Sequence, residues 1–330
     1  MKKQINAIMA REVGSSYQAK FEQILSSDLP DLPVLVKVDY SSLNYKDALA
    51  VSGKTRICRR LPMACGLDLA GTVIQSASDQ WQVGDDIIVN GYGLSETQWG
   101  GYAQQQRLAP EWLMARPSGI SSLFAMSIGT AGYTSMLCVN ALRDHGVEPS
   151  AGPILVTGAS GGVGSVAVIL LAKLGYEVVA VSGRASTHDY LRRLGASTVL
   201  NREEFDRDSR MLEAERWAGV VDSVGAKTLA SAIAQTQYEG IVAACGLAGG
   251  SGLPSSVMPF ILRGVTLRGI DSVMTSQANR QRAWADLAKL ITPQDLQEVT
   301  RVAPMSQLPT LALDLLEGRI QGRVVIDVNA

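Results

Sequence analysis

Ile154-Leu155-Val156-Thr157-Gly158-Ala159-Ser160-Gly161-Gly162-Val163-Gly164 is an apolar strand running straight into a glycine turn that opens a helix. Small residues in such a turn let backbone N–H groups approach a pyrophosphate, and the following helix directs the positive end of its dipole at the same charge. Ala159-x-Gly161-x-x-Gly164 stands in place of three glycines, which requires φ at Ala159 to stay negative. A glycine turn also joins strands to helices for packing alone, so its meaning rests on its context. Val166 to Leu174 reads as a buried helix, Gly175 ends it, and Glu177-Val178-Val179-Ala180-Val181 reads as the next parallel strand. These pieces make a complete βαβ unit.

At the end of that second strand an NAD site places Asp or Glu on the ribose hydroxyls. This chain has Ser182-Gly183-Arg184 instead. A carboxylate would repel a 2′-phosphate, whereas a hydroxyl, a permissive glycine backbone and a guanidinium fork suit one. The expected cofactor is therefore NADPH. The other reading makes Arg184 a solvated residue ahead of the Ser186-Thr187 helix cap.

Composition narrows the function classes. A chain of 330 residues has room for two domains, and a formal net charge of −1 offers no global field for nucleic acid or an anionic membrane. Asn6, Arg11 and Glu12 interrupt any signal-peptide core, no run is expected to span a bilayer, and the cytoplasm is the expected compartment. Cys58, Cys65, Cys138 and Cys245 are scattered without close pairs, which argues against a disulfide framework. His145 and His188 are the only histidines, both beside expected helix ends, and no His-x-x-His or Cys-x-x-Cys occurs, so no metal is expected. Whatever electrophile the chain activates, it is expected to do so with hydrogen bonds.

Up to about residue 125 the pattern is of short strands, among them Val34-Leu35-Val36-Lys37-Val38, Gly71-Thr72-Val73-Ile74 and Asp86-Ile87-Ile88-Val89, with tight turns at Gly91, Gly93, Gly100 and Gly101. From Ser127 helices and strands alternate, with further strands at 219–222, 240–244 and 265–269, giving a doubly wound sheet of about six strands. After an expected helix over 277–290, strand patterns at 298–302 and 321–328 return, and the simplest topology sends this tail back to complete the first domain. A nicotinamide is expected to project into a cleft between the two.

This order of pieces resembles the zinc-free, quinone oxidoreductase-like group of the medium-chain dehydrogenase/reductase superfamily. Within it, Ser41-Ser42-Leu43-Asn44-Tyr45-Lys46-Asp47-Ala48, Gly129-Thr130-Ala131-Gly132-Tyr133-Thr134, Val181-Ser182-Gly183-Arg184 and Ala244-Cys245-Gly246-Leu247-Ala248-Gly249-Gly250 look like the bacterial NADPH-dependent acryloyl-CoA reductases. The resemblance implies an α/β fold: a GroES-like, mainly β catalytic domain over 1–126, completed by 297–330, plus a doubly wound parallel Rossmann domain over 127–296. Where zinc-dependent relatives carry a cysteine ligand this chain has Asn44-Tyr45, and where they carry Gly-His-Glu it has Gly66-Leu67-Asp68.

The reaction implied is reduction of a short 2-enoyl-CoA thioester, with hydride going to the β carbon and a proton to the α carbon. Negative charge then builds on the thioester oxygen, which calls for a donor and an acid. Tyr45 is the candidate, by direct donation or through a water, with Asn44 and Asp47 positioning substrate and loop. Tyr45 equally could stack on the nicotinamide while solvent supplies the proton, and Asp47 could be a helix cap. By resemblance Ser160, Gly161, Gly162 and Val163 meet the pyrophosphate, Ser182, Gly183 and Arg184 the 2′-phosphate, and Leu247, Ile261 and Ser272 the nicotinamide half. Arg202 is expected at the adenine end and Arg323 at the cleft. The last Rossmann strand, near 265–269, is expected to pair with its counterpart in a homodimer. Two other readings stay open at this point: an NADPH:quinone oxidoreductase, and a non-catalytic NADPH-binding redox sensor.

Overall fold

A computed structural model describes residues 3–330, so Met1 and Lys2 lie outside the described residues. The chain divides into two compact units, residues 1–130 with 272–275 and 296–330, and residues 131–271 with 276–295.

Unit 2 is built on the quoted turn. Six parallel strands lie in the order Thr198–Asn201, Val178–Ser182, Ile154–Val156, Trp217–Asp222, Thr236–Ala244, Thr266–Gly269, so the sequence runs outward from the central Ile154 strand first one way and then the other. That reversal is the doubly wound pattern, whose ligand lies beyond the carboxyl ends of the strands next to the switch point. The central strands are buried along their length, as near-continuous apolar runs with helices on both faces must be. Leu155, Val179, Val181, Val220, Leu229, Ile233 and Val242 form one core.

Unit 1 is mainly β. A seven-stranded sheet holds Val34–Leu43, Asp68–Ser76 and Asp86–Asn90 at its centre, and a second sheet pairs Gln4–Val13 with Ser16–Leu25 and Met63–Ala64. The tail does come back: Arg323–Asp327 pairs antiparallel with Val34–Leu43, setting Val324 opposite Leu43 and Val325 opposite Ser42. Tyr45–Ser52, helix α1, follows that strand directly.

The contact division falls at 130/131, close to the expected 126/127 and next to a break: the helical stretch Ser122–Asp144, α2, is two helices meeting at the non-helical Gly129 (φ 53°, ψ −164°). That stretch is long and apolar enough to cross a membrane, where no such run was expected, yet 83% of its apolar window is buried inside the protein, which is the mark of a core helix. The cysteines dispersed in sequence lie in two neighbouring pairs in the fold: a thiol hydrogen bond pushes Cys65 up and Cys58 down, and a hydrogen bond with Cys245 pushes Cys138 up. All four are free thiols.

Candidate functional site

The cofactor end of unit 2 grows from the glycine turn. Gly158 takes φ +58° and Ala159 keeps a negative φ, as the sequence required. Gly161 caps helix α3 (Gly162–Lys173), and the first N–H groups of such a helix have no acceptor within it and so face an anion. At Gly164 a Cβ would overlap Gly158 O and Ala159 Cα, so glycine there lets helix and turn touch. Ser160 lies at the end of the turn, 9% exposed. Val163, in the first turn of the helix, is partly exposed, and its carbonyl accepts from Ser135 Oγ at 2.7 Å.

The residues expected at the 2′-phosphate come together. Ser182 Oγ lies 3.4 Å from Ser160 Oγ, and Arg184 Nη2 donates to Ser160 Oγ at 3.2 Å. Thr187 Oγ1 sits 2.8 Å from Ser182 Oγ and donates to the Arg184 carbonyl, so the strand end is held in shape. Arg202, from the end of the neighbouring strand, lies over Gly183, where a Cβ would meet its Nε at 3.0 Å. Glycine at 183 therefore makes room for a second guanidinium beside the first. Two guanidinium groups and two hydroxyls around one strand end fit a dianionic phosphate. Leu247 and Ile261, expected at the nicotinamide half, are 57% and 70% exposed, and the loop carrying Leu247 is laid against Gly225. Beneath it Asp222 accepts from Thr157 Oγ1 at 2.6 Å and Gly225 N at 2.8 Å, and burial raises its carboxyl. Ser272 groups with unit 1, beside the Gly91 turn, where Val273 O accepts from Tyr92 N.

In unit 1 the predicted catalytic segment surrounds a buried charge network. Asp68, Asp47 and Arg323 are all within 1% of full burial. Asp68 accepts from Ser42 N (2.8 Å), Ser42 Oγ (2.7 Å), Thr130 N (2.8 Å) and Thr130 Oγ1 (2.7 Å). Asp47 accepts from Asn44 N at 3.0 Å and Leu67 N at 2.8 Å, while Asn44 Nδ2 reaches both carboxylates, at 2.9 Å to Asp47 and 3.2 Å to Asp68. Arg323 closes the network from the other side, donating to Asn44 Oδ1 (3.2 Å), Ser42 Oγ (2.8 Å), Ser127 O and Leu43 O. Ser42 and Asn44 are thus polarised relays that accept from the guanidinium and donate to the acids. Gly129 has no alternative here, because a Cβ would overlap Arg323 Nη2 and Ser42 Oγ.

Arg323, expected at the cleft, has its guanidinium buried and engaged by acceptors inside unit 1. Asn44 and Asp47 are arranged as a positioning pair and a helix cap would be, since the Asn44 amide is fully engaged and Asp47 Oδ2 closes a capping box on the N-terminus of α1. What they position is Tyr45, the first residue of α1, which stands 39% exposed. Ser42, Asp68 and Thr130 were quoted in the motifs but given no role. Alternation marks such residues as inward-facing and nothing more, and only the register of the returning strand reveals a partner from the other end of the chain.

The same network answers the question of zinc. Among the described residues no group of three or more His, Cys, Asp or Glu converges, and the acids that do meet are satisfied by N–H and O–H donors, with the Arg323 guanidinium behind Ser42 and Asn44. A divalent cation needs free lone pairs and would be repelled by Arg323, so the residues do not fit that metal.

Burial, then the nearness of Asp68, pushes the Asp47 carboxyl from 3.8 up to about 8. The folded state therefore keeps this proton over a range in which the unfolded chain has released it. Stability should fall as pH rises from about 4 to about 8 and level off above. Urea unfolding of the wild type at pH 5 and pH 8 should show this slope, and Asp47→Asn should flatten it; an unchanged slope in the variant would assign it to other groups.

Residues 162–292 match the zinc-binding dehydrogenase family model, and residues 30–141 match the alcohol dehydrogenase GroES-like domain. The chain is 48% identical over 320 residues to acrylyl-CoA reductase AcuI of Ruegeria pomeroyi, covering 97% of each. The solved structure of Escherichia coli K-12 YHDH with bound NADPH is 50% identical, with a TM-score of 0.96 over 98% of this chain and 100% of that one. Bacillus subtilis yhfP, solved with NAD bound, is 40% identical, with a TM-score of 0.94 over 98% and 99%.

Proposed function

Because the chain belongs to the quinone oxidoreductase-like group of the medium-chain dehydrogenase/reductase superfamily, we propose that it reduces the 2,3 double bond of acryloyl-CoA to propanoyl-CoA with NADPH and without zinc. The observation that carries the substrate is the near full-length identity with a reductase of that name. The choice of NADPH rests on the Ser160, Ser182, Arg184 and Arg202 cluster, which offers positive charge where an NAD site offers a carboxylate.

When bound, the reduced nicotinamide supplies a hydride to the β carbon. Unit 2 holds its phosphates through the first turn of α3 and the two arginines. Tyr45 donates a hydrogen bond to the thioester oxygen as negative charge gathers there, and it then directs a proton, its own or that of a water, to the α carbon. Asn44 and Asp47 fix the start of α1 and so fix where the phenol points. Leu247 and Ile261 offer apolar contact to the nicotinamide ring. Tyr45→Phe should lower kcat about 100-fold with the KM for NADPH unchanged. A kcat within about twofold of wild type would move proton delivery to solvent and leave Tyr45 a packing role.

The reading as a whole is tested by following NADPH oxidation with acryloyl-CoA, crotonyl-CoA and a benzoquinone in parallel, each with and without a chelator. Chelator-insensitive turnover of acryloyl-CoA supports it, and turnover of the quinone alone overturns the substrate. We further assign the protein to a reducing compartment, the cytoplasm, in keeping with its four free thiols. Thr266–Gly269 forms the last strand of its sheet, paired on one side only by Thr236–Ala244. Such an edge suits pairing with a second copy, which supports a homodimer readable by light scattering.

A further inference from the structure

Lys54-Thr55-Arg56-Ile57-Cys58-Arg59-Arg60 carries four cations and no acid, directly after the helix that begins with Tyr45. The loop is not a loose basic run. Gly53 ends α1 in the left-handed conformation, its N–H returned to Ala50 O. Tyr17 OH donates to Thr55 O at 3.2 Å, and Cys58, fully buried, donates to Ser95 O at 3.4 Å. Arg59 N donates to Glu96 O at 2.8 Å, and Arg59 Nη2 pairs with Glu96 Oε1 at 3.0 Å while Lys46 pairs with Oε2. Glu96, paired with both Arg59 and Lys46, is therefore consumed in anchoring the loop. Among the described residues no carboxylate pairs with Lys54, Arg56 or Arg60, and all three are exposed.

Contacts at Gly53, Thr55, Cys58 and Arg59 fix the short segment that carries these three exposed cations. A solvated face of mixed sign needs no such anchoring, whereas a polyanion bound by preorganised donors loses less entropy in binding. The eight residues of α1 separate this loop from Tyr45 by about 12 Å. On the reading of the substrate as a CoA thioester, with Tyr45 at its acyl group, we propose that Lys54, Arg56 and Arg60 bind the phosphates of the CoA nucleotide, while Lys46, Glu96 and Arg59 hold the loop in place. The ligand class is an adenosine 3′-phosphate 5′-diphosphate moiety at the end of a pantetheine arm. The arm spans α1.

The test compares acryloyl-CoA with the acryloyl thioester of N-acetylcysteamine, which has the same reacting atoms and no nucleotide. In Lys54→Ala/Arg56→Ala/Arg60→Ala the ratio of kcat/KM for the CoA ester over the truncated ester should fall about tenfold or more, each lost phosphate contact being charge-assisted. Adenosine 3′,5′-bisphosphate, titrated into the NADPH-saturated protein by calorimetry, should bind the wild type and bind the triple variant about tenfold more weakly. Lys20→Ala/Lys37→Ala, elsewhere on unit 1, should move neither quantity and so controls for net charge. An unchanged ratio together with unchanged bisphosphate affinity overturns the proposal. If neither ester is reduced by the wild type, the proposed reaction falls, and the calorimetric arm still decides whether the loop binds the nucleotide.

Discussion

Arg323→Met lowers the unfolding free energy by about 3–5 kcal/mol, the usual cost of stranding a buried charge by removing its partner. Methionine matches much of the arginine's length, so the loss is electrostatic and not a cavity. Ser42 Oγ and Asn44 Oδ1 lose their donor, and the carboxylates beyond them lose the only buried cation in the network. Arg323→Met combined with Asp68→Asn should recover part of that loss, since the second change removes the stranded anion. Urea melts of both variants decide it. A double variant no more stable than the single would show that hydrogen-bond geometry, not charge balance, makes the network stable.

Arg184→Glu should raise the KM for NADPH about 100-fold, through the lost charge-assisted contact and the repulsion that replaces it. NADH carries no 2′-phosphate, so its kcat/KM should not fall. Arg202→Ala should act in the same direction and more weakly, because Arg184 with Ser160 and Ser182 remains. Steady-state kinetics with both cofactors are the measurement. An Arg184→Glu enzyme with an unaltered NADPH constant would place the 2′-phosphate elsewhere.

The clustering of Ser160, Ser182, Arg184 and Arg202 was readable in the sequence because its logic is local. Ile154 to Gly164 and Val178 to Arg184 each carry strand, turn and functional group within a dozen residues, and parallel pairing brings Arg202 alongside by a rule of sheet order. The unit 1 site was readable only in part. Tyr45 at a helix start follows from Asp47 as a capping residue type. The contacts of Arg323 were not readable, for a different reason. A guanidinium after a glycine near a terminal strand resembles turn chemistry, and its true partners become visible only once Val324 is set opposite Leu43. The cysteines show the same limit, since sequence spacing carries no information about contacts such as Cys138 with Cys245.

That returning strand also sets an order of events on the ribosome. Ser42 and the arginine whose guanidinium it accepts from are 281 residues apart, so the acids of unit 1 emerge long before their counter-ion is made. Most of unit 2 is contiguous in sequence and can close around its own parallel sheet while the chain is still growing, as domains folding vectorially do. Gln105–Leu108 covers the first part of that edge, and unit 1 must wait with the Tyr40 to Leu43 part uncovered until its last strand arrives. Its first half therefore spends the longest part of synthesis as a client for chaperones, and a chain released before Arg323 carries a folded nucleotide-binding half beside a catalytic half that cannot close.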